Sequence, residues 1–152
     1  MESEELRHRI LKQHEALREQ IRSLEVLARE VAEAEEGGDL APALRRGAER
    51  LLRRLEAHRC FEDENLGPAL VGADAWGSER RARLTADHAE QRRLLREVFT
   101  ALRSPRVHPA VVVRRILHLT DHLKADMRDE EAALLDPAVL RDDVVGTDVI
   151  TG

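Results

Sequence analysis

Residues 57–70 read AHRCFEDENLGPAL. His58 and Glu62 stand four apart, so in a helix they share one face, one turn from each other. That face is apolar on either side, with Leu55 before and Leu66 after. A helix that turns Leu55, His58, Glu62 and Leu66 inward therefore buries an imidazole and a carboxylate together. Charge buried without a partner is expensive, and such groups neutralise or find a counter-charge. The stretch makes sense only if other helices bring matching groups to the same level.

The rest of the chain supplies those helices. Only 2% of the 152 residues are aromatic and none is Tyr, so the core is Leu, Val, Ile and Ala. That core suits packed helices better than sheets. Three breaks rich in Gly and Pro divide the chain: EEGGDLAP (35–42), GPALVGADAWGSE (67–79) and RSPRVHP (103–109). They predict helices over about 3–35, 42–66, 78–103 and 109–135, with Asp39 and Ser78 as caps and Pro42 in a first turn. Each carries a stripe at helical spacing, such as Leu6, Ile10, Leu17, Ile21, Leu24, Ala28 and Val31 in the first. Long helices joined by short connections imply an all-α, up-down-up-down four-helix bundle. The bundle is expected over residues 1–137, with 138–152 a polar C-terminal tail that packs loosely.

Every stripe is interrupted by polar residues. His14 lies between Ile10 and Leu17, His58 and Glu62 between Leu55 and Leu66, and His88 and Gln91 between Leu84 and Leu95. The fourth helix offers His122, Asp126, Met127, Glu130 and Glu131 between Leu119 and Leu134. Folding the first two helices about residue 39 sets His14 within a turn or so of His58 and Glu62. Folding the last two about residue 106 sets His88 level with the His122–Asp126 pair. His14, His58, Glu62, His88, His122 and Asp126 thus converge in one layer. Imidazoles and carboxylates meeting in a core are cheapest around a metal ion, and this donor mix suits Fe, Zn, Mn or Ni. Any one such His is more often a satisfied core residue than a ligand, but four interruptions at one level are not independent accidents. His8, His108 and His118 fall outside the layer and read as surface residues.

The order of these motifs resembles the hemerythrin-like family, the HHE cation-binding domain. LKQHEAL supplies a His on helix 1, HRCFEDENLGPAL the H-x-x-x-E of helix 2, and TADHAEQ the His of helix 3. The resemblance covers about residues 1–137. It implies a bundle with a metal site in its core, two iron ions being expected and zinc or another divalent metal possible. It further implies centres that bind or sense oxygen, peroxide or nitric oxide, or that handle iron. Glu62 and Asp126 are then the candidate bridges between the two ions. Two departures stand out. Arg92 occupies the place of the family's second helix-3 His. On helix 4, MRDEEAALLDPAVL aligns with helix 2 so that Met127 stands where His58 does and Glu131 where Glu62 does. His122 with Asp126 is the favoured helix-4 pair, with Glu130 or Glu131 as the alternative.

The second reading is enzymatic, a ferritin-like oxidase or weak peroxide chemistry at the metal pair. Ferritin-type sites use E-x-x-H, which helices 2 to 4 lack. The third is a metal-free or degenerate bundle acting as a partner-binding scaffold. A net charge of −5 with interspersed signs and no basic, aromatic-laced patch argues against nucleic acid. No apolar run is long enough for a membrane, MESEELRHRI lacks a signal-peptide core, and the lone Cys60 excludes an internal disulfide. A cytoplasmic protein is expected; oligomeric state is not assigned by the sequence.

Overall fold

The stripe of the first helix is buried along its whole length. In the computed structural model, which describes residues 1–34 and 40–142, α1 (Ser3–Glu33) buries Leu6, Ile10, Leu17, Ile21, Leu24, Ala28 and Val31. Three more helices follow: α2 (Leu40–Ala73), α3 (Gly77–Arg103) and α4 (Pro109–Ala133). α1 packs on α2 and α4, and α3 packs on the same two. This is the expected up-down-up-down square, with helices as the regular elements of the described residues. The expected Asp39 cap and the Glu35 end of the first helix lie outside the described residues. No helix among the described residues is long and apolar enough to cross a membrane.

The second helix does not stop at Leu66. It runs through Pro68 to Ala73, because the stripe goes on: Leu66, Leu70 and Ala73 are all buried. Pro68 lacks an N–H and so removes one intrahelical hydrogen bond. It sits on the exposed side, as does Glu64 four residues before it, so the freed carbonyl is at the solvent side of the helix. The expected 67–79 break therefore shrinks to residues 74–76. There the Asp74 carboxylate accepts the Trp76 N–H at 2.8 Å and takes Arg80 at 2.7 Å. Ser78 is not the cap of α3; the chain enters the helix at Trp76 and Gly77. Gly77 rests on the end of α2, and a Cβ there would run into the Leu70 carbonyl. Gly77→Ala is thus expected to destabilise the fold by about 1–3 kcal/mol, through overpacking of backbone on backbone. Urea unfolding checks this, and an unchanged midpoint would contradict the close approach.

His108 caps α4. Its Nδ1 accepts the Ala110 N–H at 3.1 Å, and Pro109 takes the first turn, where no donor is needed. The segment after α4 folds back across the start of α1. Leu134, Leu135 and Leu140 are buried against Leu6 and Ile10. Arg7 donates to the carbonyls of Leu135 and Leu140 at 2.6 Å each. Asp142 accepts the Ser3 N–H at 3.0 Å and the Ser3 hydroxyl at 2.7 Å. A carboxylate from the far end of the described chain therefore caps α1, which its own Glu2 does not. Ser3 in turn holds the Asp142 carboxyl below its ordinary range. Residues 138–142 are tied down rather than frayed, and the rest of the expected tail lies outside the described residues.

The core is two hydrophobic clusters. One joins Leu17, Ile21, Leu55, Leu95, Leu123 and Met127 with their neighbours. The other joins Leu6, Ile10, Leu66, Leu84 and Leu134 with theirs. Each helix passes from one cluster to the other through a polar step: His14 in α1, His58 and Glu62 in α2, His88 and Gln91 in α3. In α4 the step falls between Met127 and Leu134, at Glu130.

Candidate metal centre

The polar layer closes on two carboxylates. His58 Nε2 lies 2.8 Å from Glu62 Oε1, as the one-turn spacing of that pair requires. His88 Nε2, from α3, reaches the same oxygen at 3.2 Å. His14 Nε2, from α1, lies 3.1 Å from Glu130 Oε1 of α4. The His14 and His58 rings meet edge to face, with centroids 5.0 Å apart. One ligand atom from each of His14, His58, Glu62 and Glu130 lies within 4.8 Å of the other three. His14 is 0% exposed and Glu62 1%, so bulk water does not reach these side chains.

Each of the three rings is held from behind. His58 Nδ1 meets Gln13 Oε1 at 2.6 Å, His88 Nδ1 meets Asp63 Oδ1 at 3.1 Å, and His14 Nδ1 meets Glu131 Oε2 at 2.8 Å. Arg18 steadies Glu131 at 2.8 Å. All three partners are acceptor oxygens, so Nδ1 carries the hydrogen in each ring. Nε2 of each ring is turned to the carboxylates. An outer acceptor that fixes tautomer and ring angle is how proteins prepare an imidazole to ligate a metal.

The electrostatics are those of a centre lacking positive charge. Burial holds the His14 pKa down, and neighbouring His58 adds to the effect, while Glu131 opposes it. His14 is therefore neutral and fit to ligate. Burial alone would raise Glu62, but hydrogen bonds with Glu130, His58 and His88 outweigh it and hold the carboxyl below its ordinary range. Burial and the adjacent Glu62 push Glu130 well above it. The two neighbouring carboxyls are thus driven apart, Glu62 down and Glu130 up. Even so, His14 Nε2, Glu62 Oε2 and Glu130 Oε1 are buried without a hydrogen-bond partner, the 3.1 Å approach of His14 to Glu130 being misaligned. Three orphaned atoms aimed at one point, from imidazoles and carboxylates, fit a divalent cation of the iron, zinc or manganese type.

Of the six residues expected to converge, the structure brings His14, His58 and Glu62 together and places His88 on Glu62. The His122–Asp126 pair does form, at 3.2 Å. It does not supply the α4 member of the four-residue group, because Leu119, Leu123 and Met127 carry the apolar stripe. The next inward position after Met127 is Glu130, one of the two alternatives. Glu131, the other, turns to the back of His14. Asp126 accepts from Gln91 Nε2 at 3.0 Å, and both line a narrow cavity that also touches His58, Glu62 and Glu130. His8, His108 and His118 are exposed, as expected. The supporting residues Gln13, Asp63 and Arg18 carry no motif of their own and were not legible as part of the site. A separate buried group, Glu25 with Thr120 at 3.2 Å and Lys124 at 3.0 Å, ties α1 to α4.

Residues 5–138 match the family model described as the hemerythrin HHE cation-binding domain. No curated protein and no solved structure matches the chain.

Proposed function

The chain belongs to the hemerythrin HHE cation-binding domain family, and from that premise we propose that it holds iron in the polar layer of the bundle as a binding or sensing module. The observation that carries this reading is the set of three buried imidazoles, each with Nδ1–H bonded outward and Nε2 turned to Glu62 or Glu130. His14, His58, Glu62 and Glu130 would hold the first ion. His88 and Asp126 would hold a second, with Glu62 and Glu130 shared between the two, since one carboxylate can offer an oxygen to each of two ions. Gln91 donates to Asp126 at 3.0 Å and orients it, with His122 alongside at 3.2 Å. Iron bound there would supply the binding of, or electron exchange with, a small diatomic ligand or peroxide, serving sensing or iron handling.

The chain's own part is to position and to exclude. Gln13, Asp63 and Glu131 fix the rings, and the hydrophobic clusters above and below keep water from the layer. Arg92, in place of another imidazole, leaves the α3 side one protein ligand short, which suits an open coordination position. Three imidazoles and three carboxylates make a donor set less acidic than the four carboxylates and two imidazoles of a ferritin-type oxidase, which favours a ligand-binding centre.

The test is anaerobic reconstitution with ferrous ion, elemental analysis, and visible spectra before and after air or nitric oxide. Two iron ions per chain and a ligand-dependent absorption band are expected. A colourless protein that takes up no iron leaves the metal-free scaffold in its place.

A further inference from the structure

The α2–α3 face carries a second feature that the metal centre does not use. A groove of about 560 Å³ runs between these helices. Arg59 lies at one end of it and is only 3% exposed. Its Nε and Nη1 are buried with no hydrogen-bond partner. Among the described residues its ion pair is with Glu56, through Nη2 at a loose 3.9 Å, and Asp63 attracts it from further off. Arg92 lies close enough to repel it, and together with burial this lowers the Arg59 pKa. A buried guanidinium with two idle donors beside another guanidinium is an expensive arrangement unless something anionic completes it.

The remainder of the groove shows what that would be. Arg96 and Arg103 line its far half, and among the described residues neither they nor Arg92 form an ion pair. Glu49 and Glu56 are the groove's only acids, so four cations face two anions. Between them Leu52, Leu95 and Phe99 make an apolar floor, with the Arg103 guanidinium 6.0 Å over the Phe99 ring. Asp63 and Glu64 line an adjoining cleft that Arg59 and Arg92 also border, and Asp63 offsets part of the charge on Arg59.

From this geometry we infer that the α2–α3 groove is a binding site for a small organic oxyanion, its phosphate or carboxylate group held between Arg59 and Arg92 and its apolar body on Leu52, Leu95 and Phe99. A planar guanidinium offers two parallel donors that match two oxygens of such a group. Arg92, the residue that departs from the family's histidine pattern on helix 3, gains a role here. The site stands apart from the metal centre and does not depend on which metal is held there.

Isothermal titration of the metal-loaded full chain with phenyl phosphate, benzoate and inorganic phosphate tests it. One saturable site is expected for an aromatic anion, at least about tenfold tighter than inorganic phosphate because the floor buries the ring. Whether phenyl phosphate or benzoate binds more tightly assigns the oxyanion. Arg59→Met and Arg92→Gln are each expected to weaken binding about tenfold or more, with helical content and metal loading unchanged. Arg92 is exposed, so its variant remains informative if Arg59→Met does not fold. Saturable binding by none of the three probes at millimolar concentration overturns the inference. So does binding that survives both substitutions, which would mean capture by the metal centre instead.

Discussion

Glu130→Ala is expected to empty the centre of metal, whereas Asp126→Ala is expected to leave one ion bound per chain. Glu130 is the α4 member of the four-residue group whose ligand atoms lie within 4.8 Å of one another. In the proposed arrangement it is shared by both ions, so its loss removes an oxygen from each. Asp126 serves the second ion alone, and Gln91 holds Asp126 at 3.0 Å. Glu131 works from behind His14, at 2.8 Å, in company with Arg18. Glu131→Ala is accordingly expected to weaken metal affinity by about 10–100-fold, the usual cost of losing an outer partner, without abolishing binding. Elemental analysis after ferrous reconstitution reads the first set, and competition against a chelator reads the second. Full loading of Glu130→Ala together with an empty Asp126→Ala would return the centre to the His122–Asp126 register.

That comparison also marks where the sequence could be read and where it could not. The bundle was legible because each helix carries a stripe at helical spacing, and the polar residues in those stripes fall at one level. His14, His58, Glu62 and His88 followed from that pattern. The α4 member was harder, because the level argument assumed that α3 and α4 start on a common plane about residue 106. The information was nevertheless in the stripe itself. Leu119, Leu123 and Met127 step by four, and Glu130 then Leu134 continue the same face. Met127 is buried as part of that stripe. Pro68 misled locally: it reads as a stop, but Leu70 and Ala73 keep their burial and the helix persists. What no local pattern carries is contact between distant segments. Asp142 on Ser3, Gln13 on His58 and Asp63 on His88 are ordinary polar residues in the sequence, and only the folded bundle pairs them.

Stripping the metal is expected to lower the melting temperature, and replacing the buried carboxylates with apolar residues is expected to restore part of the loss. A bound ion stabilises the folded chain by mass action, about 4 kcal/mol when its free concentration is a thousandfold above Kd. Without it, the layer holds two adjacent buried carboxyls beside three imidazoles, with orphaned atoms at His14, Glu62 and Glu130. Replacing a buried polar set with apolar residues of similar volume is often neutral or stabilising by about 1–4 kcal/mol. A domain of this size shifts by roughly 2–4 °C for each kcal/mol. Glu62→Leu combined with Glu130→Met should therefore melt above the metal-free parent while binding no metal. Glu62→Ala alone should melt below it, since that change leaves His58 and His88 without their shared acceptor and opens a cavity. Thermal melts of parent and variants, with and without chelator, decide between two origins of the layer. If chelation leaves the parent unchanged and the Leu/Met double melts lower, the polar network itself holds the bundle together, and the layer is a structural device rather than a seat for metal.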